Sequence, residues 1–90
     1  MQEATLVVRN KVGLHARAAA LFVQTAQKSK SDILVTIDDR QVNAKSILSI
    51  LTLGAHKGAV ISVQASGDDD EVAVRAIQEL VETNFGEPLE

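Results

Sequence analysis

Apolar residues recur at two periods along the chain, and the period changes from segment to segment. Leu6-Val7-Val8 is a short β-branched run that predicts a first strand, with Leu6 and Val8 facing one way. Asn10 to His15 reads as a loop, with Gly13 supplying backbone freedom. From Ala16 to about Gln27 the spacing turns helical: Ala19, Phe22, Val23 and Ala26 fall at i, i+3, i+4 and i+7 and make one apolar face. Ala16, Ala18, Ala19 and Ala20 favour helix intrinsically, and Lys28 and Lys30 suit its negatively polarised C-terminal end. The period then returns to two, with Ile33, Val35 and Ile37 alternating with Leu34 and Thr36 in a second strand. Asp38-Asp39 fits a two-residue turn, and Arg40 to Asn43 a short polar third strand of the edge kind.

Ser46 through Leu53 predicts a short second helix, capped by Ser46 and closed by Gly54. His56-Lys57-Gly58 is a turn, and Ile61, Val63 and Ala65 alternate with Ser62 and Gln64 in a fourth strand. Asp68-Asp69-Asp70-Glu71 opens a third helix; one Asp is expected to cap it and the others to favour its positive end. Its expected buried face is Ala73, Ala76, Ile77, Leu80 and Val81, with Pro88 beyond the end. The order is βαββαβα. Each strand has one convincingly apolar face, which predicts an α+β, two-layer open-faced sandwich: a four-stranded antiparallel sheet with three helices on one face.

A chain of 90 residues is expected to form one domain with a modest core. Aromatics are 2% of it, only Phe22 and Phe85, so Val, Ile, Leu and Ala must build that core. With no Trp or Tyr to stack on bases and a net charge of -3, nucleic acid is not an expected partner. Cysteine is absent, which excludes disulfides and zinc–thiolate sites. No apolar run approaches the ~20 residues that span a bilayer, and Met1 to Thr5 lack the basic start of a signal peptide. A cytoplasmic protein without membrane insertion is the expectation. Charge is segregated: residues 1 to 57 hold eight Lys and Arg against four acids, and residues 58 to 90 hold one Arg against eight. Such polarity can steer an approaching partner, although solvated faces and helix-end preferences explain most of it.

Chemistry concentrates in Gly13-Leu14-His15-Ala16-Arg17. His15 stands immediately before the first predicted helix, whose opening amides of Ala16, Arg17 and Ala18 are unpaired and partly positive, a place suited to phosphate. Imidazole is a competent nucleophile, and Arg17 could set its guanidinium beside the same anion. No carboxylate adjoins His15 in sequence to orient it, and no Ser or Cys stands there as a nucleophile. A hydrolytic triad therefore has no local support. Spacing alone leaves two readings: reversible covalent capture of an anion, and a histidine that merely flanks the helix with its ring in solvent. His56 has no second ligand at metal spacing, so no metal and no cofactor are expected.

The Gly13-to-Arg17 stretch followed by Ala19 resembles the active-site signature of HPr, the histidine phosphocarrier family of the phosphoenolpyruvate sugar phosphotransferase system. Val23-Gln24-Thr25-Ala26, Asn43-Ala44-Lys45-Ser46-Ile47, Leu53-Gly54 with Lys57-Gly58, and Ala65-Ser66-Gly67 resemble the family's successive segments in register. The resemblance implies a phosphotransfer relay protein, not a turnover enzyme. His15 would take phosphate on Nδ1 from phospho-Enzyme I and give it to an EIIA domain, with Arg17 stabilising the group. One position departs: Ala18 stands where the family usually has Pro. Ala18 restores a first-turn donor but loosens the junction, and phosphorylation is expected to survive.

Ile47, Leu48, Ile50, Leu51 and Leu53 crowd the second helix, too many for one sheet to cover. Ile50 and Leu53 share a core-facing side, whereas Ile47, Leu48 and Leu51 share another. The pattern allows that second face to be exposed or sunk in the core; the resemblance implies a docking patch near His15. The resemblance also implies regulatory phosphorylation at Ser46, as in HPr proteins of some bacteria, with an HPr kinase/phosphorylase and a transcriptional regulator as further partners. Phosphate at Ser46 would favour the helix end but set about two negative charges near the patch. A monomer is expected by family resemblance. The sugar-branch and nitrogen-branch versions share the same site chemistry. A regulatory binding module using only the Ser46 surface would be expected to lack the nucleophile, and His15 with Arg17 argues against it.

Overall fold

A computed structural model describes residues 1–87. Strand β1 (Gln2–Val7) pairs antiparallel with β4 (Val60–Ser66), β4 with β2 (Asp32–Ile37), and β2 with β3 (Arg40–Asn43), giving one sheet in the order β1-β4-β2-β3. The helices are α1 (Ala16–Gln27), α2 (Ile47–Leu53) and α3 (Asp70–Glu82), followed by a 3-10 turn at Asn84–Gly86. The predicted βαββαβα order and open-faced sandwich are the observed architecture. Pro88 lies outside the described residues.

Alternation in β2 and β4 sends Ile33, Val35, Ile61, Val63 and Ala65 into the core. Val35 is directly opposite Val63, and Ile33 opposite Ala65, so β-branched and small side chains meet across the two central strands. α1 lays Ala18, Ala19, Phe22, Val23 and Ala26 on that layer and packs against both α2 and α3, while α3 also lies on β1 and β4. Phe22 is fully buried, and truncating such a ring to Ala costs about 3–5 kcal/mol. β1 starts four residues earlier than its apolar run, because Gln2 to Thr5 pair in register with β4 despite their polarity. Val8 lies past the end of β1 yet stays buried, its N–H bonded to Ala59 O at 2.9 Å.

Two expectations for α3 need correction. Its buried residues are Ala73, Val74, Ile77 and Val81; Ala76 is exposed and Leu80 only half-buried. The helix is rolled so that Val74 points inward, and Ala76 and Leu80 instead line a surface groove with Thr25 and Lys28 of the α1 region. Asp69 occupies the N-cap position but makes no side-chain cap. Its carboxylate reaches across to the turn after α1, accepting from Ser29 Oγ at 2.8 Å, Lys30 N at 2.9 Å, Ser31 N at 3.0 Å and Ser31 Oγ at 2.5 Å. These donors, the Ser31 hydroxyl first, hold the Asp69 carboxyl well below the usual carboxylate range. The aspartate thus ties α3 to the α1–β2 turn.

Candidate functional site

The loop that delivers His15 is fixed from below. Gly13 has a positive φ of 65°, and a Cβ there would lie 2.5 Å from Ala55 O and 2.6 Å from His56 Cα, so no other residue fits without displacing backbone. Leu14 N donates to Ala55 O at 2.8 Å, and the buried Leu14 side chain joins the core. Asn10, also buried, donates from Nδ2 to Gly13 O at 2.7 Å. The turn after α2 is therefore the floor of the loop carrying His15.

His15 is the N-cap of α1, with extended backbone and its Nδ1 accepting from Arg17 N at 3.3 Å. The first bond of the helical ladder is Ala19 N to His15 O at 2.8 Å, so the amides of Ala16, Arg17 and Ala18 precede it. The imidazole is 32% exposed: neither sunk in the apolar layer nor turned from those amides. Ala18 itself is buried under the first turn. Arg17, 56% exposed, lies beside the ring on the same helix turn.

A third charged group, remote in sequence, completes the cluster. Glu87 Oε2 lies 2.7 Å from His15 Nε2 and 3.0 Å from Arg17 Nη1, and Glu87 Oε1 accepts from Asn10 Nδ2 at 3.0 Å. A carboxylate absent from the neighbourhood of His15 in sequence is supplied from 72 residues away. The tail is anchored by buried Phe85, whose carbonyl also accepts from Arg17 Nη1 at 3.3 Å. Phe85 and Asn84 adopt φ of 56° and 57°, an uncommon left-handed pair that turns the chain back toward α1. The hydrogen bond with His15 is the main cause holding the Glu87 carboxyl below its ordinary range, with Asn10 and Arg17 adding to it against partial burial. Asn84 and Phe85, buried just past α3, make this return.

Ser46 caps α2 through Oγ, which accepts from Ser49 N at 3.3 Å, and Gly54 closes the helix in the left-handed region. Ile50 and Leu53 are buried, whereas Ile47, Leu48 and Leu51 are exposed, Leu48 at 69%. The exposed face of α2 is therefore real, and α2 ends in the turn beneath the His15 loop. Ser46 sits at the other end of the seven-residue helix, about 10 Å of rise away. His56 is exposed, its Nδ1 3.4 Å from Gly54 O. Among the described residues, no group of three or more His, Asp and Glu side chains could hold a metal ion, and no helix is long and apolar enough to cross a membrane.

A partly exposed imidazole stands at a helix mouth with a guanidinium at its side on an open-faced α+β sandwich, an arrangement chemically able to receive an anion. Residues 2–83 match the family model of the PTS HPr component phosphorylation site. The phosphocarrier protein HPr of Xylella fastidiosa strain 9a5c is 46% identical over 87 residues, covering 97% of this chain and 98% of that protein. The crystal structure of HPr-C-His from Thermoanaerobacter tengcongensis superposes with a TM-score of 0.97 at 53% identity, over 99% of this chain and 100% of that one. An HPr dimer from the same organism superposes with a TM-score of 0.78, over 97% and 100%. The chain belongs to the HPr family and is a phosphocarrier of the phosphotransferase system.

Proposed function

We propose that His15 Nδ1 is the atom that carries the phosphoryl group, taken from phospho-Enzyme I and donated to an EIIA domain of the sugar branch. The observation that supports this most is the placement of Nδ1 against the amide of Arg17 at the mouth of α1, on a ring that solvent and partners can reach. An anion bonded there meets the first-turn amides of Ala16, Arg17 and Ala18 and the positive end of the helix. Arg17 is exposed enough to turn its guanidinium onto that anion. The acceptor lone pair attacks phosphorus, the donor's bond to phosphorus breaks, and the donor leaves with that electron pair; the next partner reverses the step. Incubation with phosphoenolpyruvate and Enzyme I, read by intact mass, tests it. One acid-labile phosphoryl group on wild type and none on His15→Ala is the expected result; label retained on His15→Ala would overturn it.

The exposed Ile47, Leu48 and Leu51 serve as the apolar part of the docking surface for both partners. Phosphate on Ser46, added by an HPr kinase/phosphorylase, would act across the length of α2, about one Debye length, and slow acceptance from an anionic donor. A transcriptional regulator would read that modified form. By likeness to its family the protein acts in the cytoplasm as a monomer, although HPr of Thermoanaerobacter tengcongensis also forms a dimer. Sedimentation equilibrium checks this, a dimer being the contrary result.

A further inference from the structure

We propose that Arg40 is a positioning residue for phosphoryl transfer: reaching from β3, its guanidinium closes the C-terminal end of α2 and so holds the docking face and the floor of the His15 loop in one register. The proposal rests on the reading of His15 as the acceptor and of α2 as a docking face. α2 has seven residues, too few to be stable by itself, and no basic side chain in its last turn to meet the negative end of its dipole. Both deficits are made good from outside the helix. Arg40 Nη1 donates to Thr52 O at 3.4 Å and Nη2 to Leu53 O at 2.5 Å. Gly54 N donates to Leu51 O at 3.3 Å, so three of the last four carbonyls of α2 have donors from beyond the helix. A planar guanidinium spans two successive carbonyls, whereas the compact ammonium of a lysine is a single point of charge.

Arg40 is itself held in place. It opens β3 directly across from Ile37 of β2, so the register of the hairpin sets where its side chain starts. On the far side of the clamp the chain leaves no slack. Ala55 O receives Leu14 N at 2.8 Å, and Ala55 O and His56 Cα stand too close to Gly13 for a Cβ there. A displacement at the end of α2 is therefore passed to the backbone that leads into His15. Within α2, Ile50 and Leu53 are anchored in the core while Leu51 faces outward, next to the clamped Thr52 carbonyl. The path runs from β3 through the guanidinium to the end of α2, and from there to the docking face on one side and the His15 loop on the other. Arg40 acts through these elements and not on the reacting atoms.

Arg40→Gln removes the fork at an exposed position and leaves the core untouched. With phosphoenolpyruvate and Enzyme I, its kcat/KM as the protein that accepts the phosphoryl group should fall roughly tenfold, the size of one charge-assisted hydrogen bond, with KM raised as well as kcat lowered. In the unphosphorylated protein, hydrogen exchange should quicken at the amides of Gly54 and Leu14, while those of the central strands β2 and β4 keep their wild-type rates. Arg40→Lys should recover part of both effects. A slower variant whose Leu14 amide exchanges as in wild type would overturn the proposal, because Arg40 would then meet the partner directly. Faster exchange with unchanged transfer would overturn it too and leave Arg40 a helix cap alone, as would protection lost throughout the sheet. Wild type without acid-labile label would instead overturn the reading of His15, and this proposal with it.

Discussion

At the scale of single residues, two carboxylates organise the structure: Asp69, expected only to serve the start of α3, and Glu87, for which no role is expected from the sequence. Asp69 accepts hydrogen bonds from the Ser29, Lys30 and Ser31 segment and titrates well below its ordinary value. A depressed carboxyl contributes stability above its unfolded pKa of about 3.9 and loses it as pH falls toward the folded value. Asp69→Asn should therefore have a lower urea midpoint at neutral pH and lose less further stability on acidification than wild type does. Parallel urea curves at neutral pH and about pH 2 check this; equal acid losses for the two proteins would contradict it. Arg17→Ala removes the cation beside the ring but no core contact. Its phosphorylation rate should drop by one to three orders of magnitude, the scale on which single charge-stabilising groups act, with the thermal midpoint shifted by only a few degrees.

At the scale of elements, legibility followed mechanism. The bounds of α2 could be read because Ser46 and Gly54 each have a specific job at a helix end. The face of α1 could be read because Ala19, Phe22, Val23 and Ala26 repeat at helical spacing. In α3 the same reasoning chose Ala76 over Val74, since small and large apolar residues crowd adjacent positions and only packing on β1 and β4 decides the roll. The N-terminal half of β1 was illegible because its pairing with β4 is long-range and its side chains are polar. Two substitutions separate docking from folding. Leu48→Glu, on the exposed face of α2, should leave stability within about 0.5 kcal/mol yet slow phosphoryl acceptance; Leu53→Ala, in the core, should cost about 2–5 kcal/mol. A Leu48→Glu protein that accepts phosphate at the wild-type rate would remove the patch from the docking surface. Ala18→Pro probes the junction: Ala18 N precedes the helical ladder, so proline there sacrifices none of it, and the labelling rate should stay within a few-fold of wild type. A dead wild type rescued by proline would show an impaired site.

At the scale of the molecule, the open-faced sandwich brings three remote pieces of chain to the mouth of α1. The loop ending at His15 lies over the turn after α2, and the tail past α3 returns to lay Glu87 against the ring. His15 and Arg17 were legible because they are neighbours ahead of a helix. Glu87 was not, because its partnership is made by the fold, through left-handed Asn84 and Phe85 and the burial of that phenyl ring. The acidic excess of the C-terminal part of the chain thus puts one of its members into the site itself.

The proposed transfer turns on one nitrogen. Protein with 15N-labelled histidine, phosphorylated through Enzyme I, should show its 31P–15N coupling at His15 Nδ1, with Nε2 still carrying the proton shared with Glu87. Coupling at Nε2, or at either nitrogen of His56, would contradict it.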